Sequence, residues 1–147
     1  MDQLINNNLL IYSFFILATI FKFHSTSLIQ AIARLKSGRF KYLDDAKFFG
    51  KEKGIADGKL STMDEAAQRV WQNDIENIYP YLLVSLVFSF SNPETTTQII
   101  YFTIFFLSRV MHSLFLIFPR QPFRNIFYQT GNIITVVTIS HTIWNFI

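Results

Sequence analysis

The sequence predicts an all-α integral membrane protein, a single domain over 1–147 built as a bundle of four spanning helices. Three observations lead there. Half of the 147 residues are hydrophobic and 17 are Phe, more apolar surface than a small soluble domain can bury. Long apolar runs occupy 9–33, 75–90, 99–118 and 123–144, and about 20 apolar residues suffice to cross a bilayer. Finally, the basic residues gather in two of the connections: Lys36, Arg39, Lys41, Lys47, Lys51, Lys53 and Lys59 in one, and Arg120 and Arg124 in the other.

The first run carries Lys22 and His24. Lys22 reads as structural, its ammonium either snorkelling or facing the bundle, and Arg34 closes the helix where a cation suits the C-terminal dipole. The stretch 36–60 is polar and contains Gly38, Gly50, Gly54 and Gly58, so it reads as a cytosolic loop near anionic headgroups. Thr62 with Glu65 three residues later forms a capping box, which starts the second helix near Met63. Ser91-Asn92-Pro93 is a turn, and PRQP at 119–122 is a short loop. An even number of spans puts both basic connections on one face. The positive-inside rule makes that face cytosolic, with both termini on the other side.

The most informative stretch is RVWQNDIENIYP, Arg69 to Pro80. On a helix Arg69, Asn73, Glu76 and Pro80 fall at i, i+4, i+7 and i+11 and share one stripe, with Asp74 and Asn77 pointing elsewhere. Such a stripe beside a membrane-length apolar run requires a partner or a ligand. It suits a zwitterionic, anion-rich ligand, Arg meeting a carboxylate, Glu an ammonium and Asn a peptide group; the alternative is a helix that pairs its own charges inside the bundle. Asp74 and Arg109 are expected to form an interhelical ion pair, since an unpaired charge in mid-span costs several kcal/mol. With no Cys, disulfides and thiolate metal sites are excluded, and no metal is expected. The formal charge of +3 is modest, and membrane lipids rather than nucleic acid are the expected partners.

RVWQNDIENIYPYL closely resembles the second-helix signature of the MAPEG family, membrane-associated proteins in eicosanoid and glutathione metabolism. The family pattern runs basic-Ala-His-x-Asn-Asp-x-Glu-x-Ile-x-Pro. The resemblance extends from about Leu28 to Trp144 and includes RLKSGRF at 34–40, DDAKFFGK at 44–51, SRVMH at 108–112 and QPFRNIFY at 121–128. The FGK block is more similar to the type 1 microsomal glutathione transferase branch than to the prostaglandin E synthase branch.

The resemblance implies a homotrimer in the endoplasmic reticulum or mitochondrial outer membrane, its active site facing the cytosol and binding glutathione as co-substrate between subunits. It implies conjugation of the glutathione thiolate to hydrophobic electrophiles, with reduction of lipid hydroperoxides as a further activity. The alternatives within the family are a non-catalytic lipid-binding protein and a prostaglandin E synthase-like isomerase. By resemblance, Arg69, Asn73 and Glu76 of one subunit and Arg34 of its neighbour hold glutathione, Glu76 on the ammonium and the arginines on carboxylates. Arg124 is the residue beside the sulfur, and His112 and Tyr128 are near the ligand; without the resemblance, a His on a buried face is more often a satisfied core residue.

The chain departs from the family pattern at Ala66, Trp71 and Gln72. It also does so at Leu116, where a Tyr is usual, and in a loop one residue short before Arg124. The orientation is checked by glycosylation tags at position 2 and protease access to 50–58. The expected outcome is cleavage of that loop from the cytosolic side, and a protected loop would contradict it.

Overall fold

The chain is described here from a computed structural model covering residues 2–49 and 61–147. All the elements in these residues are helical: α1 (Asp2–Ser37), α2 (Leu43–Phe49), α3 (Thr62–Phe90), α4 (Thr95–Ile117) and α5 (Phe123–Phe146). Four are long. α1 lies mainly along α3, α4 lies along α5, and α3 and α4 join the two pairs.

Local chemistry sets the boundaries. Gly38 ends α1 in the left-handed region at φ 65°, its N–H donating to the Arg34 carbonyl at 2.9 Å. Helix α3 begins one residue earlier than expected. Its cap is Ser61, whose extended backbone lets the hydroxyl accept from Asp64 N at 3.2 Å; Thr62 is already helical, so the expected Thr62–Glu65 box does not form. The region expected to be loop contains α2, which has Asp44 and Asp45 in its first turn and Lys47 in its last, as the helix dipole favours. The remainder of that stretch, with Gly50, Gly54 and Gly58, lies outside the described residues. At the α3–α4 turn Asn92 takes φ 58°, which a short polar side chain tolerates.

Around an apolar core, many large apolar side chains are exposed and many small polar ones are buried. Leu10, Phe14, Leu17, Phe21, Leu28, Leu83, Val136, Ile143 and Trp144 are exposed, whereas Asn8, Thr19, Thr26, Ser85, Ser89, Gln98, Ser108, Thr138 and Thr142 are buried. An exposed set of this kind suits a hydrocarbon surrounding, and the second set lies at helix contacts where small or hydrogen-bonding residues pack closely. The mid-bundle core is aromatic. Tyr81 stacks on Phe105 with centroids 3.6 Å apart and Phe15 on Phe102 at 4.5 Å, while the Tyr81 hydroxyl meets Thr138 Oγ1 at 3.4 Å. At the chain-terminal end, Gln98 donates to the Asn8 carbonyl at 2.9 Å and to Ser89 Oγ at 2.8 Å, and Asn145 donates to Ser91 Oγ at 3.1 Å.

Buried charge is arranged differently from expectation. Asp74 does not pair with Arg109; among the described residues its ion-pair partner is Lys22 of α1. Lys22 also donates to Ser113 Oγ of α4 at 2.7 Å, so one ammonium ties three helices. The close packing of α1 on α3 brings the Lys22 stem inward, and Lys22 is the bundle-facing cation of the two readings open to it. Arg109 turns instead to the backbone of α5, donating from Nη2 to the Tyr128 carbonyl at 2.9 Å. His24 bonds within its own helix and His141 meets the Tyr101 hydroxyl at 3.2 Å, both structural roles.

The Lys22–Asp74 pair makes a direct prediction. Lys22→Met leaves a buried carboxylate alone and is expected to cost about 3–5 kcal/mol, and Lys22→Met with Asp74→Asn to recover much of it. Thermal unfolding in detergent checks this; an unchanged midpoint for Lys22→Met would contradict the pairing.

Candidate functional site

The polar stripe of α3 reaches its destination at one end of the bundle, that of the α1–α3 connection and the α4–α5 turn. There a cavity of about 540 Å³ is lined by Arg69, Gln72, Asn73 and Glu76 of α3, by His112 and Leu116 of α4, and by Gln121, Arg124, Asn125 and Tyr128 of the turn and α5. Helical spacing explains the α3 wall, because residues three and four apart stack on one face. Asp74 and Asn77 are off that wall, as expected: Asp74 is buried against Lys22, and Asn77 donates to the Asn73 carbonyl at 2.7 Å. Pro80 has no N–H to donate to the Glu76 carbonyl, so the α3 backbone below the stripe lacks one helical hydrogen bond.

The cavity is charged but not internally neutralised. Arg69 and Glu76 are exposed, and the nearest acid to Arg69 is Glu65 at 4.0 Å, on the helix surface. Glu76 accepts from the Gln72 amide at 3.3 Å. Asn73 Oδ1 is buried without a hydrogen-bond partner among the described residues. With its amide oxygen turned toward Arg124, Gln121 accepts from Nη2 at 2.8 Å and from Nε at 3.2 Å. A neutral acceptor of this kind fixes a guanidinium without cancelling its charge.

Helix α4 braces the α5 wall. His112 is buried, its ring lies 5.5 Å from that of Tyr128, and its Nδ1 is 2.9 Å from the Arg124 carbonyl. A carbonyl only accepts, so Nδ1 carries the proton and donates.

Six of the seven expected site residues therefore meet within the one chain: Arg69, Asn73, Glu76, His112, Arg124 and Tyr128. Arg34 does not join them. Its Nε donates to the fully buried Asp64 at 3.0 Å, and it borders a separate cleft of about 190 Å³ that also includes Asp45. Gln121 and Asn125 were not anticipated. Counting back from Tyr128 by three, four and seven gives Asn125, Arg124 and Gln121, the spacing that identified the α3 stripe. Of the departures noted in the sequence, Leu116 and Gln72 line the cavity, whereas Trp71 faces α1 and packs against Phe23 with centroids 6.0 Å apart.

Comparison with known proteins gives a match of residues 9–144 to the MAPEG family. The chain belongs to the MAPEG family. Microsomal glutathione S-transferase 1 of Rattus norvegicus is 32% identical over 144 residues, covering 92% of this chain and 90% of its own. The Homo sapiens protein of that name is 34% identical over 113 residues, covering 75% and 72%. Prostaglandin E synthase of Equus caballus is 28% identical over 126 residues, covering 85% and 80%. MAPEG membership makes this a membrane protein, with α1, α3, α4 and α5 as the four-helix bundle. By length and composition Asn7–Ser37 and Thr95–Ile117 suffice to cross a bilayer.

Proposed function

We propose that this MAPEG chain is a membrane-bound glutathione transferase that conjugates the glutathione thiolate to hydrophobic electrophiles dissolved in the bilayer. One observation carries the reading: a single cavity joins the α3 stripe Arg69–Asn73–Glu76 to Arg124 and Tyr128 across α4. The relatives named microsomal glutathione S-transferase 1 support it at 32–34% identity, and those named prostaglandin E synthase match at 26–28%.

In this reading Glu76 receives the glutamyl ammonium, Arg69 a carboxylate, and Asn73 a peptide group. The chain works as a homotrimer, in which Arg34 of a neighbouring subunit takes the second carboxylate. Asp64 holds the Nε edge of Arg34 and so orients the rest of its guanidinium. The cavity faces the cytosol, at the membrane of the endoplasmic reticulum or the mitochondrial outer membrane. Arg124, fixed by Gln121, stands beside the sulfur. A free thiol titrates near about 8.5, and lowering this by two units takes roughly 2.7 kcal/mol of preference for the anion, which a partly shielded guanidinium supplies. The thiol proton leaves to solvent. The sulfur pair then forms a bond to the electrophilic carbon, and the leaving group departs with its own pair. Reduction of a lipid hydroperoxide by two glutathiones, giving an alcohol, water and glutathione disulfide, uses the same thiolate.

Leu116 favours a second reading. It puts an apolar side chain on the cavity wall, as a non-catalytic lipid-binding member would. A prostaglandin E synthase-like isomerase shares the thiolate requirement. Equilibrium glutathione binding to detergent-purified protein, followed by turnover with an aryl halide, separates these: binding with turnover is expected, and turnover that fails despite binding rejects the transferase.

Arg124→Ala is expected to retain glutathione, whose ends are held elsewhere, while the thiolate fraction at pH 7, read by ultraviolet absorbance, falls about 25-fold if the pKa rises by those two units. The loss appears in kcat more than in KM. Full thiolate signal with lost affinity would instead make Arg124 a carboxylate clamp and Tyr128 the next candidate for the sulfur.

A further inference from the structure

We infer that Arg109 is a positioning residue that sets the rotation of α5 at the cavity, and that Gly131 is the seat that allows it. Arg109 lies in α4, is 1% exposed, and has no carboxylate within ion-pair distance among the described residues. Its guanidinium crosses to α5 and reaches main chain through Nη2, while Nε meets Ser108 Oγ at 3.5 Å and Nη1 has no partner among the described residues. Nη2 donates to the Tyr128 carbonyl at 2.9 Å and to the Phe127 carbonyl at 3.4 Å. The rings of Phe105 and Tyr128 flank it at 5.5 and 5.6 Å. A helical carbonyl keeps a second lone pair, so it accepts the charged donor without leaving its own helix ladder.

A guanidinium reaches a helix backbone only where the facing side chain is missing. Gly131 is the single glycine of α5, one turn beyond Phe127 and Tyr128, and a Cβ built there would overlap Nη2, Cζ and Nε of Arg109. Glycine inside a helix costs roughly 0.5–1 kcal/mol relative to alanine, so this one needs a compensating contact, and the Arg109 seat supplies it.

The carbonyls that are gripped connect this seat to the cavity. Arg109 holds Tyr128 and Phe127; His112, one turn further along α4, donates to Arg124. Two side chains of α4 thus hold α5 by the main chain of Arg124 and Tyr128, the two residues that carry its chemistry in the cavity. Their side chains face the ligand space because their own backbone is pinned from behind. The catalytic consequence rests on the transferase reading; the positioning itself does not.

The test uses the full-length protein in detergent and exploits its lack of Cys. Asn125→Cys places one thiol on the cavity-facing side of α5, and its alkylation rate with a water-soluble maleimide reports the rotation of that helix. Gly131→Ala removes the seat and obliges the buried guanidinium to move; alanine itself favours helix, and the thermal midpoint is measured alongside to report any loss of fold. The expected result is a change of about threefold or more in alkylation at position 125, where exposure sets the rate. Without the reporter, Gly131→Ala is expected to keep glutathione affinity within about threefold and to lose about 10- to 100-fold in kcat, the scale of an ångström-sized misplacement. Gly131→Ala with Arg109→Lys, whose slimmer ammonium clears the new methyl, is expected to regain part of that kcat.

Wild-type alkylation and wild-type kcat in Gly131→Ala would overturn the inference. So would parallel loss of affinity, kcat and thermal stability with no rescue by lysine, the behaviour of a purely structural glycine. If the unmodified protein does not bind glutathione, the transferase reading fails, and the alkylation result alone then decides the positioning claim.

Discussion

A polar side chain in hydrocarbon can hydrogen-bond only to its own protein, and this constraint arranges the whole molecule. It explains why Leu, Ile and Phe face outward while Asn8, Gln98, Thr138 and Ser85 are sealed inside. It also explains why three charged side chains within the bundle each find a partner on another helix. Lys22 pairs with Asp74 across α1 and α3, and Arg109 donates from Nη2 to the main chain of α5. The helices are therefore tied at chosen residues, beyond general packing, and those ties fix which faces are left for the cavity.

The cavity lies where the constraint relaxes. At the end of the bundle with the basic connections, Arg69, Glu76 and Arg124 are exposed. A charge in such a boundary is shielded enough to act strongly on a ligand and hydrated enough to be tolerated. The division of labour among helices follows. α3 carries the polar stripe of the cavity and α5 carries Arg124 and Tyr128. α4 contributes His112 and Leu116 to the lining and, through Arg109 and His112, holds α5 in register. α1 stands outside the cavity, and its Arg34 is held by Asp64 at 3.0 Å.

Much of this was legible in the sequence for a physical reason: periodicity survives without tertiary information. Arg69, Asn73 and Glu76 share a face at helical spacing, and family resemblance added Arg124, Tyr128 and His112. What was not legible depends on distances between helices. Three buried charges allow more than one pairing, and only the approach of α1 to α3 selects Lys22 for Asp74 over Arg109. The role of Gly131 was equally hidden, since a glycine in a membrane helix reads as generic until the guanidinium that fills its place is seen. The cap of α3 moved by one residue because Ser61 and Thr62 are both good caps, and the chain direction before them decides which is extended.

The central claim is that the α3–α4–α5 cavity holds glutathione. Single cysteines in this Cys-free chain test it most directly, one at Leu116 on the cavity wall and one at Trp71 on the α1-facing side of α3. Alkylation of each is timed with and without saturating S-methylglutathione, which has the peptide but no free thiol. The account predicts about tenfold or greater slowing at position 116, where bound ligand excludes the reagent, and no change at position 71. Unchanged alkylation at 116, or protection at 71 alone, would contradict it.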